Sequence, residues 1–171
     1  MQMFTTCTPS EMSKAQFIGK FADIFEHSPW IAEAAFDAGI TAEHNQIEHF
    51  YQLVCSILTA ADHQAKLDLI NAHPDLAGKA AIAGQLTHSS SAEQSDAGIS
   101  DCSPAEFALF NQLNSAYQAK FHFPFIMAVK DSDKLKILAA FQQRINNQPE
   151  REFSQALLEI NKIARFRLAD L

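Results

Sequence analysis

Along most of this chain, apolar side chains recur at intervals of three and four residues, the repeat of an α-helix with one buried face. Phe17, Phe21, Ile24 and Phe25 open the series, and Ser13 with Gln16 has the spacing of a capping box at its start. Ser28-Pro29 predicts a cap followed by proline at the first helical position, with a helix through 30–36 that ends near Gly39. Ile47, Phe50, Tyr51, Val54, Ile57 and Leu58 form one stripe within 43–60. Asp62 is placed to cap a fourth helix, with Ala65, Leu69 and Ile70 inward, which runs up to His73-Pro74. Proline disfavours the α conformation in the residue before it, so this helix is expected to stop there.

Beyond the break, the small residues of 77–83 predict a short helix. A Ser-rich stretch follows, then one or two turns over 91–97 capped by Ser91 and ended by Gly98. Ser103-Pro104-Ala105-Glu106 combines a cap, a first-position proline and a capping glutamate. Phe107, Phe110, Leu113, Asn114, Tyr117 and Phe121 then mark a long helix. Pro124 blocks its continuation, and 123–129 reads as an extended apolar segment with no partner strand. Asp131 is expected to open the next helix, with Leu135, Ile137, Leu138, Phe141 and Ile145 inward. Pro149-Glu150 opens the last, with Phe153, Ala156, Leu157, Ile160, Ile163, Ala164 and Leu168 inward. Residues 1–9 read as a loose lead-in. The fold class predicted is all-α: one compact domain over 1–171, of about eight helices, with an extended segment near 123–129.

Apolar residues make up 47% of the 171 positions and charged ones 19%, a balance that permits one sizeable core. The net charge of −7 removes the cationic footprint of a nucleic-acid binder. It also leaves no polybasic patch for a membrane, and no apolar run is long enough to cross one. Cys7, Cys55 and Cys102 are odd in number and far apart, so neither a disulfide framework nor a zinc site is expected. The start shows no basic-then-apolar leader and the end no peroxisomal tripeptide, so the expected compartment is the cytoplasm.

Few residues stand out for chemistry. Pro74 holds His73 at the end of a helix in irregular backbone, a common way to present a catalytic imidazole. It is equally a way to place a cation at a helix C-terminus. Glu93-Gln94 is either a surface capping pair or part of a site. The amides of 123–129 lack a strand partner and need acceptors, which a ligand can supply. Arg167 adjoins the inward face of the last helix; it either binds an anion or buries its stem beneath a solvated head. No pair of histidines has metal-ligand spacing beside a carboxylate, and no nucleophile elbow or phosphate loop occurs. On residues alone, a non-catalytic helical interaction module remains open, with the His-Pro and Phe-Pro-Phe segments as structural corners.

Five motifs in order carry the reading further: His-Pro-Asp-Leu-Ala-Gly-Lys at 73–79, Ser-x-x-Glu-Gln-Ser-x-Ala-Gly at 90–98, Leu-Asn-x-x-Tyr at 113–117, Phe-x-Phe-Pro-Phe-Ile at 121–126, and Ile-Ala-x-x-Arg-Leu at 163–168. From about residue 10 to the end, the chain resembles the 2-oxo-4-hydroxy-4-carboxy-5-ureidoimidazoline (OHCU) decarboxylases of urate breakdown. The resemblance implies an all-α homodimeric carboxy-lyase that forms (S)-allantoin without a cofactor or metal. It implies catalytic roles for His73 and Glu93. Substrate contacts are implied for Pro74, Ser90, Gln94, Phe125, Ile126, Met127, Ala128, Val129 and Arg167. A hydrolase acting on a related ureide is the alternative enzyme, and it would need an activated water that the sequence does not visibly supply.

Overall fold

The computed structural model of the chain describes residues 2–77 and 88–171. Eight α-helices are present among these residues: α1 (Lys14–Phe21), α2 (Trp30–Asp37), α3 (Ile47–Ala60), α4 (His63–Ala72), α5 (His88–Asp96), α6 (Pro104–Phe121), α7 (Lys134–Arg144) and α8 (Pro149–Ala169). The described residues contain no strand, only one isolated antiparallel bridge between Met3 and Gln46. The all-α class holds. Most of the short helix expected over 77–83 lies outside the described residues.

Two compact units make up the described chain. One comprises Met1–Ala72 and Asn161–Leu171, the other His73–Ile160. In the first, α1 packs on α2 and α2 on α3. Its centre is a cluster of Phe4, Phe17, Phe21, Phe36 and Phe50, with ring centroids 4.5 Å apart for Phe21 and Phe50 and 5.4 Å for Phe4 and Phe50. The helix starts follow local chemistry. Ser13 and Gln16 form the expected capping box. Asp62 Oδ1 accepts from the Ala65 amide at 2.8 Å. Ser28 makes no side-chain cap; Pro29 itself takes the cap position of α2. Gly39, at φ +96°, lies just past the end of α2, where a Cβ would be strained.

The lead-in is not loose. Phe4 is buried in the aromatic cluster. The amides of Thr5 and Thr6 donate to the Leu171 carbonyl, and that of Phe4 to the Asn45 carbonyl. Sequence spacing gave no sign of this because a single Phe has no period; its partners lie elsewhere in the chain.

In the second unit, the face of α6 carries Phe110, Asn114, Tyr117 and Phe121, all buried. Ser103 and Glu106 build the predicted capping box, and Lys134 Nζ reaches Glu106 Oε2 at 2.8 Å. His122 adopts the left-handed conformation (φ 62°) at the end of α6 and turns the chain into 123–129. Phe125 stacks on Phe141 from α7, with centroids 3.8 Å apart and planes 14° apart. Helix α7 opens later than expected: Asp133, not Asp131, accepts from the Leu135 and Lys136 amides. Leu135, expected inward, is 67% exposed.

The buried stripe of α8 also differs from the predicted one. Glu152, Ala156, Glu159, Ile160, Ile163, Ala164, Arg167 and Leu168 are buried, whereas Phe153 and Leu157 are only half-buried. Three of the eight buried residues are charged. Counting apolar positions placed the stripe slightly off because it left Glu152 and Glu159 out of the inward face and set Arg167 only beside it.

Candidate active site

His73 follows α4 directly, as the His-Pro break predicts, and its side chain is buried. The next four residues form a tight loop that is held by side chains rather than by secondary structure. Gln94 Oε1 accepts from the Ala77 amide at 3.1 Å, and Gln94 Nε2 donates to the Asp75 carbonyl at 3.4 Å. Asn114 Nδ2 donates to the Leu76 carbonyl at 2.9 Å. Gln118 Nε2 donates to Asp75 Oδ1 at 2.7 Å. Ala77 sits at φ 52°, a conformation that disfavours any residue with a Cβ. Such strain persists where surrounding bonds fix the backbone, and here Gln94 holds the strained amide itself. Burial raises the Asp75 carboxyl above its ordinary value, against the opposing pull of the Gln118 hydrogen bond.

Helix α5 supplies Gln94. It includes His88–Asp96, so Ser91 lies inside the helix instead of capping it. Ser90 and Gln94 are four residues apart on one face and both are buried. Glu93, one position away from Gln94, is half-buried. The surface-capping alternative therefore fails for Gln94, whose amide bridges two backbone groups of the His73 loop.

The extended segment is held by charge. Phe125, Ile126 and Val129 are buried, Met127 and Ala128 half-buried. Arg144 Nη1 donates to the Ile126 carbonyl at 2.6 Å, and its guanidinium lies 4.4 Å from the Phe125 ring centroid. The same guanidinium pairs with Glu152, through Nε at 2.8 Å and Nη2 at 2.5 Å. Glu152 has no exposed surface and accepts further bonds from Tyr117 at 2.6 Å and Asn147 at 2.7 Å. Burial, then the neighbouring Glu152 carboxylate, pushes the Tyr117 phenol far upward, so it remains a hydroxyl donor. Glu159 Oε2 accepts from the Ala128 amide at 3.0 Å. That amide, expected to be open to a ligand, has a protein partner.

Arg167 belongs to the other unit. Its Nη1 donates to Glu26 Oε2 at 3.0 Å, to the Asp23 carbonyl at 3.1 Å and to the Ile24 carbonyl at 3.4 Å. Both Arg167 and Glu26 are buried, so the solvated-head alternative fails. Glu26 precedes His27, which lies at φ 45°.

Within its own unit, the structure joins the His73 loop, α5 and α6 through Gln94, Asn114 and Gln118. The sequence reading missed Asn114 and Gln118 as loop partners, Glu26 as the partner of Arg167, and Arg144, Glu152 and Glu159 as the supports of 125–129. One signal was available for the last group. Glu152, Glu159 and Arg167 share the helical face of Ala156, Ile160 and Ile163, and charge on an apolar face implies buried partners. Among the described residues, no group of three or more His, Cys, Asp or Glu is gathered as metal ligands would be.

A family model described as OHCU decarboxylase matches residues 10–169. A 2-oxo-4-hydroxy-4-carboxy-5-ureidoimidazoline decarboxylase of Halalkalicoccus jeotgali is 35% identical over 162 residues, covering 95% of this chain and 88% of that one. The uric acid degradation bifunctional protein PucL of Bacillus subtilis is 37% identical over 169 residues, and the match spans 99% of this chain but 33% of that longer protein. Among solved structures, (S)-allantoin synthase is similar with a TM-score of 0.73 at 30% identity, over 95% of this chain and 52% of that one.

Proposed function

The chain belongs to the OHCU decarboxylase family, and on that premise we propose that it decarboxylates 2-oxo-4-hydroxy-4-carboxy-5-ureidoimidazoline to (S)-allantoin in urate degradation. The observation that carries this reading is the family match over residues 10–169. That span also supports reading residues 1–171 as one decarboxylase domain.

The substrate carries its carboxylate on a ring carbon next to a C=N bond. When the bond to carbon dioxide breaks, its electron pair moves into that C=N and the ring nitrogen takes a proton. The substrate thus contains its own electron sink, and no pyridoxal or thiamine is required. The resulting enol then gains a proton on the ureido-bearing carbon and loses one from its hydroxyl. This forms the ring carbonyl and a single stereocentre. The protein must hold the ring, stabilise the developing charge and deliver the proton to one face.

His73 donates or relays that proton. Glu93 orients His73 and hydrogen-bonds the ureido or hydroxyl group. Pro74 shapes the backbone around the imidazole, and Ser90 contacts the ring from the face of α5. Gln94 keeps one acceptor lone pair and one N–H beyond its two loop bonds, and these meet an amide edge of the ring. Around Phe125, Ile126, Met127, Ala128 and Val129, the backbone lines the ring; Glu159 already holds the Ala128 amide, so that amide is not the one that meets the ring. Arg167 binds the anionic end of the substrate through its forked guanidinium. The enzyme acts as a cytoplasmic homodimer in this reading.

Circular dichroism of nascent allantoin, recorded while urate is oxidised in situ, tests the reaction. Chelator-insensitive acceleration of one enantiomer is expected, and absence of any acceleration would overturn the assignment. His73→Asn tests the proton donor: it is expected to lose at least about a hundredfold in turnover, the range for removing a general acid. Near-normal turnover would remove His73 from that role.

A further inference from the structure

The Leu-Asn-x-x-Tyr motif of α6 has no part in the reaction as described. Its asparagine occupies a core position: the buried face reads Phe110, Asn114, Tyr117, Phe121. Asn114 Oδ1 is buried and has no hydrogen-bond partner, which is costly for a neutral acceptor. A leucine has the same branching and leaves no polar atom unpartnered on this apolar stripe. What the asparagine supplies instead is a donor. Its Nδ2 reaches the Leu76 carbonyl at 2.9 Å, three residues after His73. One turn further along α6, Gln118 holds the Asp75 side chain at 2.7 Å. Between them lies a loop with little regular hydrogen bonding, which ends in the left-handed Ala77.

We propose that Asn114 is a positioning residue for decarboxylation, fixing the 73–77 loop from beneath so that the His73 imidazole is held at one angle to the ring. The proposal rests on the decarboxylase reading for its catalytic consequence, but not for its structural one. Gln94 holds the loop from α5, and its bond to the Asp75 carbonyl, at 3.4 Å, is long. Without Asn114 the Leu76 carbonyl has no side-chain donor from α6. The strained Ala77 can then relax, and it takes the loop that carries His73 with it. A proton donor that wanders by a fraction of an ångström loses rate while the substrate still binds, because binding is spread over other elements.

The test uses Asn114→Leu and Asn114→Asp in the full chain. The first removes both the donor and the unpartnered acceptor; the second keeps the shape but has no N–H to give. Thermal unfolding, steady-state turnover and amide hydrogen exchange are measured on each. The expected result for Asn114→Leu is a Tm at or above that of the parent protein. Exchange at the Ala77 amide should be about tenfold faster, and kcat about tenfold lower with KM within about threefold. Asn114→Asp should show the same exchange and kcat changes, and it decides the matter if the leucine variant fails to fold. Unchanged Ala77 exchange in a folded variant would overturn the proposal, as would fast exchange with unaltered kcat. If the parent protein does not accelerate (S)-allantoin formation, the decarboxylase reading falls by itself, and the exchange measurement still decides whether Asn114 holds the loop.

Discussion

The support beneath 125–129 is a buried ion pair, and it makes a sharp prediction about stability. Glu152 has no exposed surface and Arg144 is 9% exposed. Replacing Arg144 with Met removes the guanidinium from Glu152 Oε1, from the Ile126 carbonyl and from the face of Phe125. Among the described residues, Glu152 then retains Tyr117 and Asn147 as side-chain donors. Removing one partner of a buried pair costs about 3–5 kcal/mol, because the other charge stays behind without compensation. That is a large part of the roughly 5–15 kcal/mol by which domains are stable. At about 2–4 °C per kcal/mol for a chain of this size, Tm falls by roughly 6–20 °C. The double variant Arg144→Met/Glu152→Leu removes both charges and leaves only neutral groups unpaired. It should therefore lose less than the sum of the two single variants, by about 1–3 kcal/mol of coupling. Urea unfolding of the four proteins closes the cycle. Additive losses, or a loss below about 1 kcal/mol for Arg144→Met, would show that the pair does not organise this segment as described.

Three further outcomes follow from the described contacts. Asp75→Asn keeps an oxygen for Gln118 but removes a carboxyl whose pKa is raised by burial. A raised acid binds its proton more readily folded than unfolded, so wild-type stability falls as pH rises from the ordinary value near 3.8 through the folded one. The variant should therefore be more stable than wild type at neutral pH, with the gap closing in acid; denaturant midpoints against pH check this. Glu106, held by Lys134 and then by the Ser103 amide, is lowered to about 2 from 4.5, so its contribution is present above 4.5 and lost as pH falls towards 2. Carboxyl NMR titration should find it near that value and find it raised in Lys134→Ala; an ordinary value in the parent protein would contradict the contact. Arg167→Lys keeps a charge for Glu26 but loses the guanidinium fork. Losing one charge-assisted hydrogen bond to substrate, about 1.5–3 kcal/mol, should raise KM about tenfold or more with kcat little changed; an unchanged KM with lost turnover would remove Arg167 from substrate binding.

Sequence by itself determined what is local. Ser13 with Gln16 and Ser103 with Glu106 cap their helices where the spacing put them, because a capping box involves residues three apart and needs nothing else. Pro74, Pro124 and Pro149 mark a helix end, an extended segment and a helix start, because a proline ring acts on its own neighbours. His73 was legible as a candidate for the same reason. Where two local signals competed, spacing chose wrongly. Asp131 and Asp133 are both able to cap α7, and Ser91 was read as a cap inside what proved to be α5.

Tertiary structure decided what the side chains do. Glu152, Glu159 and Arg167 are charged residues that face inward because Arg144, the Ala128 amide and Glu26 stand opposite them. None of those partners can be identified from the spacing along α8. The same holds for Asn114, a polar residue on a buried stripe, whose reason is a carbonyl 38 positions earlier. A helical period reports which residues share a face. Only the fold brings a backbone carbonyl or a carboxylate to that face, and this decides whether a buried polar group is a fault or a fixture.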